Sequence, residues 1–184
     1  MNVIKTEIEG LLILEPKIFG DSRGYFYESY NKQRFEEVTG LNINFVQDNQ
    51  SKSCYGVLRG LHFQTPPYAQ SKLVRCVKGQ ILDISVDIRK SSPTFGKYIA
   101  VELNENNHRQ LFIPHGFAHG FVVLSDEAIF QYKCDNFYHK ESEGAVAWND
   151  PEININWTIP FDDVILSDKD KVNPLLKDAE WLFE

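Results

Sequence analysis

Long apolar runs are missing from this sequence of 184 residues. No stretch approaches the roughly 20 consecutive apolar residues that a membrane-spanning helix requires. The first residues, Met1 to Glu7, hold neither a basic segment leading into an apolar run nor a small-residue cleavage site, so nothing in them predicts export. Cysteine is scarce: Cys54, Cys76 and Cys134 are odd in number and lack the paired spacing of a disulfide framework or a zinc site. Buried free thiols in a reducing cytoplasm are the expectation. Positive charge is short as well. Nineteen Lys and Arg against 26 Asp and Glu leave a net charge of -7. That disfavours nonspecific attraction to nucleic acid, and it requires an anionic substrate to meet a local basic cluster. Fixed-period repeats and low-complexity tracts are absent, which excludes a solenoid and argues against disorder.

What is present is globular in composition: 42% hydrophobic residues, 13% aromatic and 24% charged. The length fits one domain, residues 1–184, with a core of its own. Short apolar runs divided by turn residues fill the middle of the chain, the pattern of an all-β sandwich or barrel. Helix is confined to the ends. Asn31 to Val38, with Asn31 as cap and Gly40 as terminator, predicts a short helix presenting Phe35 and Val38 on one face. A second is predicted near Leu175 to Leu182. Lys72 to Val77 and Ile81 to Ile88 flank Lys78-Gly79-Gln80, which predicts a hairpin. The second of these segments alternates Leu82, Ile84 and Val86 with Asp83, Ser85 and Asp87. An apolar interior takes the first set and a polar cavity the second. Further strands are predicted at Tyr98 to Leu103, Gln110 to Ile113, Phe121 to Leu124 and Ile129 to Cys134.

One segment carries chemistry. Gly56-Val57-Leu58-Arg59-Gly60-Leu61-His62-Phe63-Gln64 has the frame of a metal-binding cupin motif, a glycine followed by His-x-His, with Gln64 in place of the second histidine. Lys72, separated from Gly79 by six residues, stands where that motif has a glutamate. An amide and an ammonium do not serve in a site of nitrogen and carboxylate ligands, so no metal is expected. Pro114-x-Gly116-x-x-His119 matches the centre of the second cupin motif, with His108 and Val123 departing at its ends. Together the two motifs predict a cupin jelly-roll barrel with short helices near its termini, and such barrels hold ligands in their mouths.

Of the five histidines, His108, His115 and His139 fall in polar turns, where a solvated side chain is the plain expectation. His62 and His119 lie inside the frame. A lone histidine among apolar residues is commonly a satisfied core residue, but Arg59, Lys72 and Arg75 lie near His62 in sequence. Cations held together in a fold imply an anionic partner. A regular strand sends Arg59 and His62 to opposite faces, and Gly60 between them is a natural place for a bulge. For Tyr132, whose parity matches Ala128 and Phe130, the simple expectation is a core tyrosine with a hydrogen-bond partner.

Four blocks resemble the dTDP-4-dehydrorhamnose 3,5-epimerase family nearly end to end: Phe19-x-Asp21-x-Arg23-Gly24-x-Phe26-x-Glu28; Gln47-Asp48-Asn49-Gln50-Ser51; Gly56 to Gln64 with Lys72-Leu73-Val74-Arg75; and Ile113 to Phe121. Shorter agreements follow at Tyr132-Lys133, Trp148-Asn149-Asp150-Pro151 and Leu166 to Asp170. Thr158 stands after Trp157 where the family usually has proline, which touches a loop. The resemblance implies inversion of C3 and C5 of a dTDP-linked 4-keto-6-deoxyglucose without a cofactor. It implies His62 as base, Asp170 or Asp83 as the carboxylate orienting it, Tyr132 as the acid on the other face and Lys72 as stabiliser of the enolate oxygen. Arg23, Arg59 and Lys169 would serve the diphosphate and nucleotide, with Glu28, Gln47, Asp48, Asn49, His119 and Glu143 completing contacts and Tyr138 stacking on thymine. It further implies a homodimer that exchanges N-terminal strands, with Arg23 and Glu28 acting in trans. Rival readings are a single-position epimerase, a metal-dependent cupin oxygenase and a nonenzymatic nucleotide-sugar-binding module.

Overall fold

The computed structural model describes residues 1–180 and 183–184. Thirteen strands are assigned among these residues: β1 (Asn2–Lys5), β2 (Leu12–Glu15), β3 (Phe19–Asp21), β4 (Gly24–Phe26), β5 (Gln47–Cys54), β6 (Leu58–Gln64), β7 (Lys72–Lys78), β8 (Gln80–Asp87), β9 (Tyr98–Asn104), β10 (Gln110–Ile113), β11 (Phe117–Val123), β12 (Glu127–Cys134) and β13 (Glu143–Ala145). A six-stranded sheet runs β1-β2-β10-β7-β12-β5, a five-stranded sheet runs β13-β6-β11-β8-β9, and β3 pairs with β4 as a separate hairpin. The named strand pairs are antiparallel. No helix among the described residues is long and apolar enough to cross a membrane.

The two sheets face each other as a jelly roll. Val74, Cys76, Leu111 and Phe130 of the six-stranded sheet meet Ile81, Val101, Leu103 and Phe121 of the five-stranded sheet in one buried cluster. The outer face of the five-stranded sheet is also covered. Leu58, Leu82, Ile84, Val86 and Val122 pack there with Trp148, Ile155, Trp157 and Leu176 from the C-terminal segment. Strand β8 is therefore buried on both sides, and both halves of its alternation are satisfied: the apolar set faces the C-terminal cover, while Asp83, Ser85 and Asp87 share the barrel side with Ile81.

The predicted helix forms at α1 (Lys32–Thr39). Asn31 Oδ1 accepts from Arg34 N at its start, and Gly40, at φ 73°, donates its N–H to Glu36 at its end. Phe35, fully buried, clamps the helix to Leu14, Leu73 and Phe112 on the outer face of the six-stranded sheet. Three expectations are corrected. Strands β7 and β8 do not pair: β7 lies between β10 and β12, and β8 between β11 and β9. Only Gly79 separates them, fewer residues than the two that a tight hairpin loop needs, and its positive φ of 78° instead turns the chain from one sheet into the other. A Cβ at Gly79 would lie 2.1 Å from the Glu127 carbonyl oxygen, so the corner is closed to larger residues. Near the C-terminus, only a 3-10 turn at Leu176–Asp178 replaces the predicted helix, because Leu176 is pinned by its N–H to Asp150 Oδ2 at 2.6 Å and by burial of its side chain. The end of that predicted helix, residues 181–182, lies outside the described residues. Cys54 is exposed, whereas Cys76 and Cys134 are buried free thiols as expected.

Candidate active site

The geometry of the site begins at a bulge. His119 on β11 is in register with His62 on β6, and Phe121 with Arg59, so three steps along β6 match two along β11. This irregularity turns Arg59 and His62 into the same cavity, as Gly60 in the sequence suggests. Gly60 has φ 142°, and a Cβ on it would lie 2.6 Å from Gly120 Cα. Two backbones meet here at a distance that only glycine permits.

The cavity, of about 490 Å³, is lined by Asn49, Arg59, His62, Lys72, His119, Tyr132 and Asp170 together with Phe121, Phe130 and Leu166. Its walls come from both sheets: His62 and His119 stand on the five-stranded sheet, Lys72 and Tyr132 on the six-stranded one. His62 Nε2 lies 2.5 Å from Asp170 Oδ1. Asp170 is buried in a 3-10 turn and takes further hydrogen bonds from Asn173 Nδ2, while its own N–H donates to Ser167 Oγ. Burial pushes this carboxyl up, but the hydrogen bond and charge of His62, with Ser167 and Asn173, outweigh it and hold Asp170 below the usual carboxylate range.

Asp83 is the main correction among the site residues. It does not orient His62. It is fully buried and faces His119, whose Nε2 lies 2.9 Å from Oδ2 and 3.1 Å from Oδ1. The pleat explains the choice, since Asp83 is in register with Phe121 while Asp170 arrives from the C-terminal segment directly against β6. Burial lowers the His119 imidazole, so it is neutral at neutral pH. Lys72 is half-buried, its ammonium 6.0 Å from the centre of the Tyr132 ring and without a hydrogen bond to the described residues. Burial pulls Lys72 down, and Cys134 and Asp83 pull it back up. Burial likewise raises the Tyr132 phenol, which keeps its proton. The expected core partner for that hydroxyl is not found among the described residues; Tyr132 instead lines the cavity.

The model of the family described as dTDP-4-dehydrorhamnose 3,5-epimerase matches residues 5–178. This chain belongs to that family. The epimerase from Shigella flexneri is 60% identical over 181 residues, spanning 98% of this chain and 99% of its own. A crystal structure of the Elizabethkingia anophelis dTDP-4-dehydrorhamnose 3,5-epimerase superposes with a TM-score of 0.93 at 57% identity, covering 97% of each chain. The Legionella pneumophila dTDP-6-deoxy-D-glucose-3,5-epimerase, solved in complex with dTDP-4-keto-L-rhamnose, superposes with a TM-score of 0.95 at 50% identity, covering all of this chain and 97% of its own. The fold is thus the cupin-type jelly roll of these epimerases, and the chain is an isomerase.

The remaining residues expected at the site fall into four groups. Gln47 and Asn49 share the barrel face of β5; Gln47 Nε2 donates to Asn49 Oδ1, and the Tyr138 N–H donates to Gln47 Oε1 at 3.2 Å. That chain leads from the cavity to the exposed ring of Tyr138. Asp48 projects from the opposite face of the sheet and pairs with Lys133 at 2.8 Å. Glu143 and Lys169 form an ion pair at 2.6 Å, on β13 beside β6 and on the segment before Asp170. Arg23 sits on the exposed β3–β4 hairpin, bound to Asp21, and Glu28 accepts from Asn31 Nδ2, both outside the cavity. Of the three turn histidines, His115 is exposed as expected, while His108 packs at a tilt against Tyr25 and Tyr27 and His139 lies flat on Tyr68, with ring centres 3.8 Å apart.

Proposed function

We propose that this enzyme converts dTDP-4-dehydro-6-deoxy-D-glucose to dTDP-4-dehydro-L-rhamnose by removing and returning a proton at C3 and at C5. Both hydrogens are acidified by the C4 ketone, and each inversion takes a proton from one face of the sugar and delivers one to the other. The reaction is redox-neutral, so proton transfer alone completes it. The observation that carries the assignment of roles is the placement of His62 and Tyr132 on opposite sheets of one cavity. In this reading His62 is the base, and Asp170 orients its imidazole and stabilises the imidazolium that forms. Tyr132, holding its proton, is the acid on the far face. Lys72 donates to the oxygen that becomes an enolate. General acid-base help of this kind is worth ~10² to 10⁴-fold, and a well-placed oxyanion donor on the order of 10² to 10³-fold.

Arg59, with Nε already donating to Ser53 Oγ at 3.2 Å, is the cation of the cavity left for the diphosphate, with Lys169 and Arg23 as further cations. Gln47, Asn49, His119 and Glu143 complete the contacts, and Tyr138 stacks on the thymine. The whole chain acts as one domain and pairs as a homodimer in which the hairpin carrying Arg23, with Glu28 beyond it, reaches the partner's cavity. Phe19, Tyr25 and Phe26 on that hairpin are more than half exposed, which supports a partner covering them. We place the enzyme in the cytoplasm, where its three free cysteines stay reduced.

Incubation with dTDP-4-dehydro-6-deoxy-D-glucose in D₂O is expected to put deuterium at C3 and at C5, read by NMR. Exchange at neither carbon would overturn the reading, and exchange at one alone would make this a single-position epimerase. His62→Ala is expected to abolish exchange at both; full activity in that variant removes His62 as base.

A further inference from the structure

The proposed reaction uses Asp170, His62, Tyr132 and Lys72, and leaves unexplained why a second carboxylate is sealed into the same barrel. Asp83 has no solvent exposure, yet its two oxygens both face His119 Nε2, and it lies close enough to Lys72 to draw on its charge. An unpaired carboxylate in such a place is costly, so its retention beside two cavity-lining side chains has to be matched by what it does to them. No described residue hydrogen-bonds His119 Nδ1, and it is not among the buried orphan atoms, so it opens on the cavity. Lys72 Nζ likewise has no hydrogen-bond partner among the described residues.

We propose that Asp83 is a positioning residue of the epimerisation: it takes the Nε2–H of His119, fixing the tautomer that turns a bare Nδ1 to the substrate, and it supplies the counter-charge for the Lys72 ammonium. Two cavity groups are thereby given opposite hydrogen-bonding parts by one buried anion. His119 accepts and Lys72 donates. That set matches a ketone oxygen beside a hydroxyl, which is what C4 and C3 of a 4-keto sugar present. The inference rests on the reaction proposed above. Without Asp83, the His119 ring has no fixed tautomer, and Lys72 has lost one of the two groups, with Cys134, that offset its burial.

The groups facing Lys72 are Asp83 on β8, His119 on β11, and Tyr132 and Cys134 on β12; those facing His119 are Asp83, Lys72 and His62, while Arg59 faces Tyr132. Burial pushes the Asp83 carboxyl up while His119 and Lys72 pull it back down, and removing it leaves only Cys134 to favour the charged amine, which makes the amine easier to deprotonate. In the full-length enzyme, Asp83→Asn is therefore expected to lower kcat for deuterium exchange at least about tenfold and to move the basic limb of the kcat profile to lower pH by about one unit. Asp83→Glu, which keeps the charge, should retain the limb even where it loses rate. A folded Asn variant with the wild-type limb and rate would overturn the inference, as would an Asn variant losing rate with no movement of the limb. Should the Asn variant fail to fold, ¹⁵N shifts of the imidazoles in the wild-type protein decide: the expected pattern for His119 is a protonated Nε2 and a bare Nδ1, and a protonated Nδ1 near neutral pH sinks the idea. A wild-type enzyme that exchanges neither carbon fails for a different reason, because it removes the reaction itself.

Discussion

Asp170 and Ser85 illustrate how single buried groups set measurable properties. The Asp170 carboxyl is held below its ordinary value when folded, so its contribution to stability is complete above roughly pH 4 and is lost as pH falls through the lower, folded value. Urea unfolding at pH 7 and again below pH 4 should show a loss in the wild type that Asp170→Asn partly removes. An unchanged acid dependence in the variant would mean that other carboxylates carry it. Ser85 Oγ is the one buried side-chain polar atom without a hydrogen-bond partner among the described residues. Replacing it by Ala removes an unsatisfied hydroxyl, and the expected outcome in denaturant unfolding is a neutral change or a gain of up to about 1 kcal/mol in unfolding free energy. A clear loss would show that the hydroxyl is satisfied in solution.

At the scale of elements, the bulge in β6 is the feature on which the site depends. Gly60→Ala forces a side chain into a left-handed backbone position and against Gly120 Cα, so β6 and β11 must part. A loss of about 2 kcal/mol or more in chemical denaturation is expected, together with slower deuterium exchange, because Arg59 and His62 would no longer share a wall. Stability and activity both at wild-type level would show that the strand absorbs the change. The bulge was legible in the sequence because Arg59 and His62 violate strand parity with a glycine between them. The corner at Gly79 was misread for a related reason. A glycine flanked by two apolar segments reads as a hairpin locally, and only the partners of β7 and β8, brought from far along the chain, place the strands in different sheets.

For the whole molecule, the exposed aromatic hairpin and the distance of Arg23 from the cavity make assembly the next question. Sedimentation is expected to give about twice the chain mass of 21.3 kDa. Mixing Arg23→Ala protomers with His62→Ala protomers should restore part of the exchange activity, because a mixed dimer assembles one intact cavity from the two. Recovery of none, with exchange of subunits demonstrated, would place Arg23 in its own protomer's site. A second hollow of about 430 Å³, lined by Tyr30, Asp48, Arg75, Gln110 and Gln131 among others, contains no histidine.

The sequence by itself determined the class of the barrel, the capped helix, the family and the residue types of the site, because these depend on local alternation, capping and ordered motifs. It left two carboxylates, Asp83 and Asp170, as candidates for one imidazole. The tertiary structure assigned each to a different histidine, Asp170 to His62 across 108 positions of chain and Asp83 to His119 across 36. It also turned Asp48 away to Lys133. The physical reason is common to these cases: a hydrogen bond needs its partners within about 3 Å, and which acidic side chain meets that condition is fixed by strand register and by where the C-terminal segment lands on the sheet. Neither quantity is written in the local sequence.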